Sequence, residues 1–183
     1  MGAVRDDGLV EVGAGGLTVV VGGAAPASLS LYKRQAELVE DFPGAQTDGF
    51  SLVAVRDEGD WPRLVVTQRY SPAGGGFAPG VLLVPKRRQV FIGAGSRLLA
   101  YEARGGTWRR QWEDRAEGGF WQWRRHGKTV LMSAELELAA WTCDGRKLWS
   151  TFVEPPWSYR VDGGTVTLDV MGAVRTLELR TSR

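Results

Sequence analysis

Short apolar runs separated by glycine or polar turns recur along most of the chain, the punctuation expected of β-strands. Leu9–Val12 and Leu17–Val21 flank Gly13-Ala14-Gly15-Gly16 and predict a hairpin. Phe50–Arg56 and Arg63–Tyr70 predict a second hairpin around Glu58-Gly59-Asp60, followed by a glycine-rich loop from Ser71 to Pro79. One stretch departs from this pattern. Leu31, Leu38, Val39 and Phe42 recur at near-helical spacing, with Ser28 or Ser30 available as a cap and Pro43-Gly44 as a stop. It predicts one short helix near residues 31–42.

The second half contains an internal repeat. Val90-Phe91-Ile92-Gly93, Val130-Leu131-Met132-Ser133 and Val166-Thr167-Leu168-Asp169 align, and under the same offsets Leu98, Leu138 and Val174 coincide, as do Tyr101, Trp141 and Leu177. A further strand leads each copy (Gly80–Pro85, Phe120–Arg125, Trp157–Val161), and the first two continue into Trp108–Glu113 and Lys147–Val153. Four short antiparallel strands in about 40 residues is the blade period of a β-propeller. The segments Leu99-Ala100-Tyr101 with Gly105-Gly106, and Ala139-Ala140-Trp141 with Asp144-Gly145-Arg146-Lys147-Leu148-Trp149, resemble repeats of pyrroloquinoline-quinone-type and WD-type propellers. The resemblance implies a propeller-like fold of up to four blades. It does not carry a quinone cofactor with it, because that requires a full ring and a dedicated metal and quinone site. The expected architecture is a single all-β domain over residues 1–183, with units at 80–118, 119–153 and 154–180 and a weaker N-terminal unit at 1–79. Leu9–Val12 would complete the last blade and close the ring. A β-sandwich or open barrel of the same strands is the alternative.

Composition narrows the function. The 183 residues are 43% hydrophobic and 24% charged, enough for a sizeable core and an ordinary surface. No apolar run is long enough to span a membrane, and Asp6 and Asp7 replace the apolar core of a secretion signal, so a cytoplasmic location is expected. A lone Cys143 and a lone His126 leave no internal disulfide and no cysteine-based metal site, so neither cofactor nor metal is predicted. Nineteen arginines against four lysines fit a GC-rich bacterial genome. Residues 1–85 carry a net charge of −4 and residues 86–183 one of +6.

The candidate chemistry lies in the basic half. Seven of the eight tryptophans fall between Trp108 and Trp157. In Phe120-Trp121-Gln122-Trp123-Arg124-Arg125, strand alternation puts Trp121 and Trp123 on one face and Phe120, Gln122 and Arg124 on the other. Val153-Glu154-Pro155-Pro156-Trp157-Ser158-Tyr159 is a stiff segment that would present Glu154, Trp157 and Tyr159 to a ligand. His126 and Cys143 fall in turns and lack the partners of a general base or an activated nucleophile. Lys86-Arg87-Arg88 reads as a charged turn. The resulting expectation is a non-enzymatic module that binds another protein through its loops, with Glu154, Trp157, Tyr159, Arg124 and Arg125 as contacts. Polyanion or glycan binding by the Arg/Trp stretch 108–125, through Trp121 and Trp123, is the alternative. A hydrolase using Glu135, Glu137 or Glu154 is a third.

Overall fold

The computed structural model describes residues 3–4, 9–45, 49–57, 59–71 and 78–180. Asp6, Asp7, Glu58 and residues 72–77 of the glycine-rich loop lie outside the described residues. The fold is all-β, arranged as four successive sheets.

The first sheet comprises β1 (Ala3–Val4), β2 (Val10–Ala14), β3 (Leu17–Gly22), β4 (Leu38–Phe42), β5 (Gly49–Arg56) and β6 (Leu64–Tyr70), in the order β1-β2-β3-β5-β6-β4. The second is a meander of β7 (Gly80–Val84), β8 (Gln89–Ala94), β9 (Arg97–Arg104) and β10 (Thr107–Arg115). The third repeats it with β11 (Phe120–His126), β12 (Thr129–Ala134), β13 (Glu137–Thr142) and β14 (Lys147–Phe152). The fourth has β15 (Trp157–Asp162), β16 (Thr165–Val170) and β17 (Ala173–Glu178).

The sheets stack face to face in chain order, and strand alternation explains how. In β8, Val90 and Ile92 join Val53, Val66 and other residues of the first sheet, while Phe91 points to the third. In β12, Val130 and Met132 meet the second sheet and Leu131 meets the fourth. The central strands β8 and β12 are thus buried on both faces and read as apolar runs rather than alternating ones. Two glycines permit a close approach of the second and third sheets. The Phe120 ring lies where a Cβ on Gly80 or Gly93 would sit, with carbon positions 2.7 and 2.6 Å away, so β11 packs directly against β7 and β8.

Two expectations are corrected at the N-terminal end. The helix α1 covers only Leu29–Gln35, and Leu38–Phe42 is strand β4, paired parallel to β6 through Leu38↔Leu64 to Phe42↔Gln68. The apparent helical spacing of Leu38 and Phe42 marks the face of β4 that meets the second sheet, while Leu29, Tyr32 and Val39 pack on the opposite face of the first. Residues 10–14 do not complete the last blade. They pair with β1 and β3 inside the first sheet. With α1 covering the far face of that sheet, no buried cluster among the described residues joins the first sheet to the fourth.

Candidate recognition surface

Four of the expected contact residues meet where the third and fourth sheets join. β11 carries a bulge there: Phe120 pairs with Ala134 but Gln122 pairs with Ser133, leaving Trp121 as the extra residue. The bulge overturns the simple alternation. Phe120 and Trp123 share the core against the second sheet, with ring centroids 5.5 Å apart, while Trp121 turns to the fourth sheet. There it stacks on Trp157 at 5.1 Å and 10°, and Trp157 stacks in turn on Tyr159 at 6.2 Å and 24°. The Trp157 indole donates to the Glu135 carbonyl oxygen at 3.0 Å, fixing the start of β15 on the β12–β13 turn. Burial raises the Tyr159 phenol above its ordinary pKa, opposed in part by the Ser133 hydroxyl and the Arg124 guanidinium. Trp121, Trp157 and Tyr159 therefore form one half-buried junction whose ring faces are largely taken up by one another, with exposed Arg124 beside it.

The other expected contacts stand apart. Trp123 is core, packed against Phe91, Phe120 and Trp141. Arg125 is exposed and folds back on its own hairpin, donating from Nε to the Gly127 carbonyl oxygen. Glu154 is exposed in the connection between β14 and β15. The stretch 108–125 has no common face: Trp108 is buried against the first sheet, Trp112 stacks on Trp141, and Arg109 and Arg110 pair with Glu102 and Glu113. Glu135 and Glu137 do not share a strand face either. Glu135 lies in the turn, and the carboxylate of Glu137 accepts from the Glu117 amide at 3.1 Å beside Lys147. His126 loses basicity to burial and to the nearby Arg124, and Cys143 is buried.

The feature that sequence reasoning missed is the outer edge of the fourth sheet. The second and third sheets have four strands each, the fourth has three, and among the described residues nothing pairs with the far side of β17. The Leu179 amide donates to the Gly164 carbonyl oxygen, which sets the phase of the β16–β17 ladder. Two-residue alternation from that bond points the amides of Val174 and Thr176 away from β16, toward the open edge. Beside this edge runs a groove of about 450 Å³ lined by Trp149, Thr151, Arg175 and Leu177, among others. Arg175 bridges it, donating to the Thr151 hydroxyl and the Phe152 carbonyl oxygen at 2.9 Å each. The Trp149 indole N–H is buried with no hydrogen-bond partner among the described residues. Phe152, Met171 and Val174, exposed at 58%, 66% and 63%, lie on different faces: Phe152 in β14 opposite Glu137, Met171 in the β16–β17 turn beside Pro156, and Val174 opposite Asp169 on the outer face of the fourth sheet.

No protein-family model matches the sequence, and none of the curated proteins matches it.

Proposed function

We propose that this chain is a non-enzymatic protein-binding module of the propeller-blade type, and that it recognises an extended segment of its partner by adding it as a fourth strand to the fourth sheet. The observation that carries this reading is the open edge of β17. In the third sheet the corresponding position is filled by β14, which lies over β10 of the sheet before it, with Lys147 Nζ 2.8 Å from Asp114. A strand added to β17 would lie over β14 in the same way and cover the groove. Its main chain would use the Val174 and Thr176 amides, the source of affinity in strand addition, and its side chains would meet Trp149 and Leu177. Half-buried Trp149 and Leu177 in the groove supply the apolar centre that a protein interface needs. The Trp121–Trp157–Tyr159 junction serves this surface from behind, by anchoring β15 to the third sheet.

The test is capture from lysate with nuclease present, comparing the natural chain with Thr176→Pro. Proline is tolerated where a strand's N–H faces away from its neighbour, so the variant keeps its own ladder and loses only an outward donor. The reading requires a protein retained by the natural chain at low and high salt and lost by Thr176→Pro. Equal retention by both chains would contradict it.

A further inference from the structure

We propose that the hairpin turns at one end of the second and third sheets form a docking face for the phosphodiester backbone of a nucleic acid, bound without reading its bases. The face is invisible as a unit in the sequence because the meander distributes it over four turns. The β7–β8 turn brings Lys86 and Arg87, β9–β10 brings Arg104, β11–β12 brings Arg125 and Lys128, and β13–β14 brings Arg146. All six are exposed, and none makes an ion pair among the described residues.

These turns are held together. The Ala103 amide donates to the Arg88 carbonyl oxygen at 2.9 Å, and the Cys143 amide to that of Lys128 at 3.0 Å. Between the sheets, Gln111 Nε2 donates to the Asp144 carbonyl oxygen at 3.3 Å. The two rows of cations are therefore set at the spacing of stacked sheets, about 10 Å. Nearby negative charge is either committed or peripheral. Asp57 is buried against Arg63 and Arg88. Among the described residues the carboxylates within the face are Glu102, committed to Arg109 and Gln111, and Asp144; a hydrogen bond from Thr142, with Arg87 and Arg146 close by, holds the pKa of Asp144 below the ordinary value. Asp60 and Asp162 lie beyond, in turns of the first and fourth sheets.

The chemistry of the face selects a nucleic acid over a protein. Its turns expose charge and glycine only: Cys143 is buried, Pro85 is half-buried, and a Cβ at Gly105, Gly106 or Gly127 would touch nothing within 4 Å. A protein interface needs an apolar centre, whereas phosphate contacts alone suffice for sequence-independent nucleic-acid binding. The absence of an exposed aromatic side chain from these four turns also removes base stacking as a mode of contact.

Fluorescence anisotropy with a labelled random-sequence DNA duplex tests this. Saturable binding is expected at about 50 mM salt, weakening linearly on a log–log salt plot with a slope of roughly −3 to −5, as contact with some four or five phosphates requires. The double variant Arg87→Glu/Arg146→Glu, with its fold checked by circular dichroism, should lose at least about tenfold in affinity. Arg160→Glu, an exposed charge on the fourth sheet, should leave affinity unchanged, as should Thr176→Pro, which separates this face from the strand-adding edge. Absence of binding at low salt, equal binding by the double variant, or tighter binding to polyglutamate or to phosphatidylserine vesicles than to DNA would overturn the proposal.

Discussion

In the third sheet, β12 sends Val130 and Met132 into the second sheet and Leu131 into the fourth, and every residue of the strand is buried. In the fourth, β16 buries Val166 and Leu168 against the third sheet, but Thr165, Thr167 and Asp169 point the other way. The two strands hold the same place in their sheets, aligned at Val130 and Val166. The difference shows how a stack of sheets is ended. An interior sheet needs apolar residues at both phases of the strand, while a terminal sheet replaces one phase by polar groups, as the capping units of repeat proteins do. The fourth sheet carries this further by stopping at three strands. Its outer face is finished mainly with polar side chains, exposed Val174 apart, while its edge is left with unused backbone donors beside the apolar Trp149 and Leu177 of the groove, the combination that invites another strand.

The largest effect that sharpens this contrast should come from Trp141→Ala in the third sheet. Trp141 is 1% exposed, stacks on Trp112 at 5.6 Å and lies edge-on to Trp123. Its loss should cost about 3–5 kcal/mol in urea unfolding, whereas Val174→Ala on the terminal sheet should stay within about 0.5 kcal/mol. A Val174→Ala cost as large as that of Trp141→Ala would mean that the outer face of the terminal sheet is already covered. Gly93→Ala comes next. The added methyl would meet the buried Phe120 ring, which has nowhere to move, and should destabilise by about 1–3 kcal/mol in the same measurement.

The smallest effect concerns alkaline pH. Burial and the hydrogen bond to Glu40 raise the pKa of Tyr101, and burial raises that of Tyr159. A phenol that holds its proton longer in the folded state contributes stability that is intact below its ordinary pKa of about 10 and falls as pH rises beyond it. Unfolding midpoints measured from pH 8 upward should therefore decline above about pH 10. Tyr101→Phe should flatten that decline more than Tyr159→Phe, because Tyr101 is the more deeply buried and the interior sheet, not the terminal one, dominates the response. An unchanged slope in Tyr101→Phe would contradict this ranking.

Much of the scaffold was readable from the chain because glycine turns and the repeat are local signals. The alignment of Val90, Val130 and Val166 located the second strand of each repeat-like sheet. Three features were hidden for identifiable reasons. The bulge at Trp121 reverses the faces of its neighbours without leaving a mark in the residue types. The parallel pairing of β4 with β6 is long-range, so Leu38 and Phe42 offered only a spacing that a helix fits equally well. The edge of β17 is an absence of pairing, and the sequence of Ala173–Glu178 looks like any other strand. Of the predicted contacts, Trp121, Arg124, Trp157 and Tyr159 converge, whereas Glu154, Arg125 and Trp123 do not. The Trp-rich stretch owed its density to core packing in consecutive sheets.

The central claim, that the β17 edge is open and is where a partner strand binds, is tested most directly by hydrogen exchange of individual amides before and after partner capture. In the free chain Val174 and Thr176 should exchange rapidly while Arg175 and Leu177, paired to β16, are protected. In the complex Val174 and Thr176 should become slow as well. Protection of those two amides in the free chain, or no change on binding, would contradict the account.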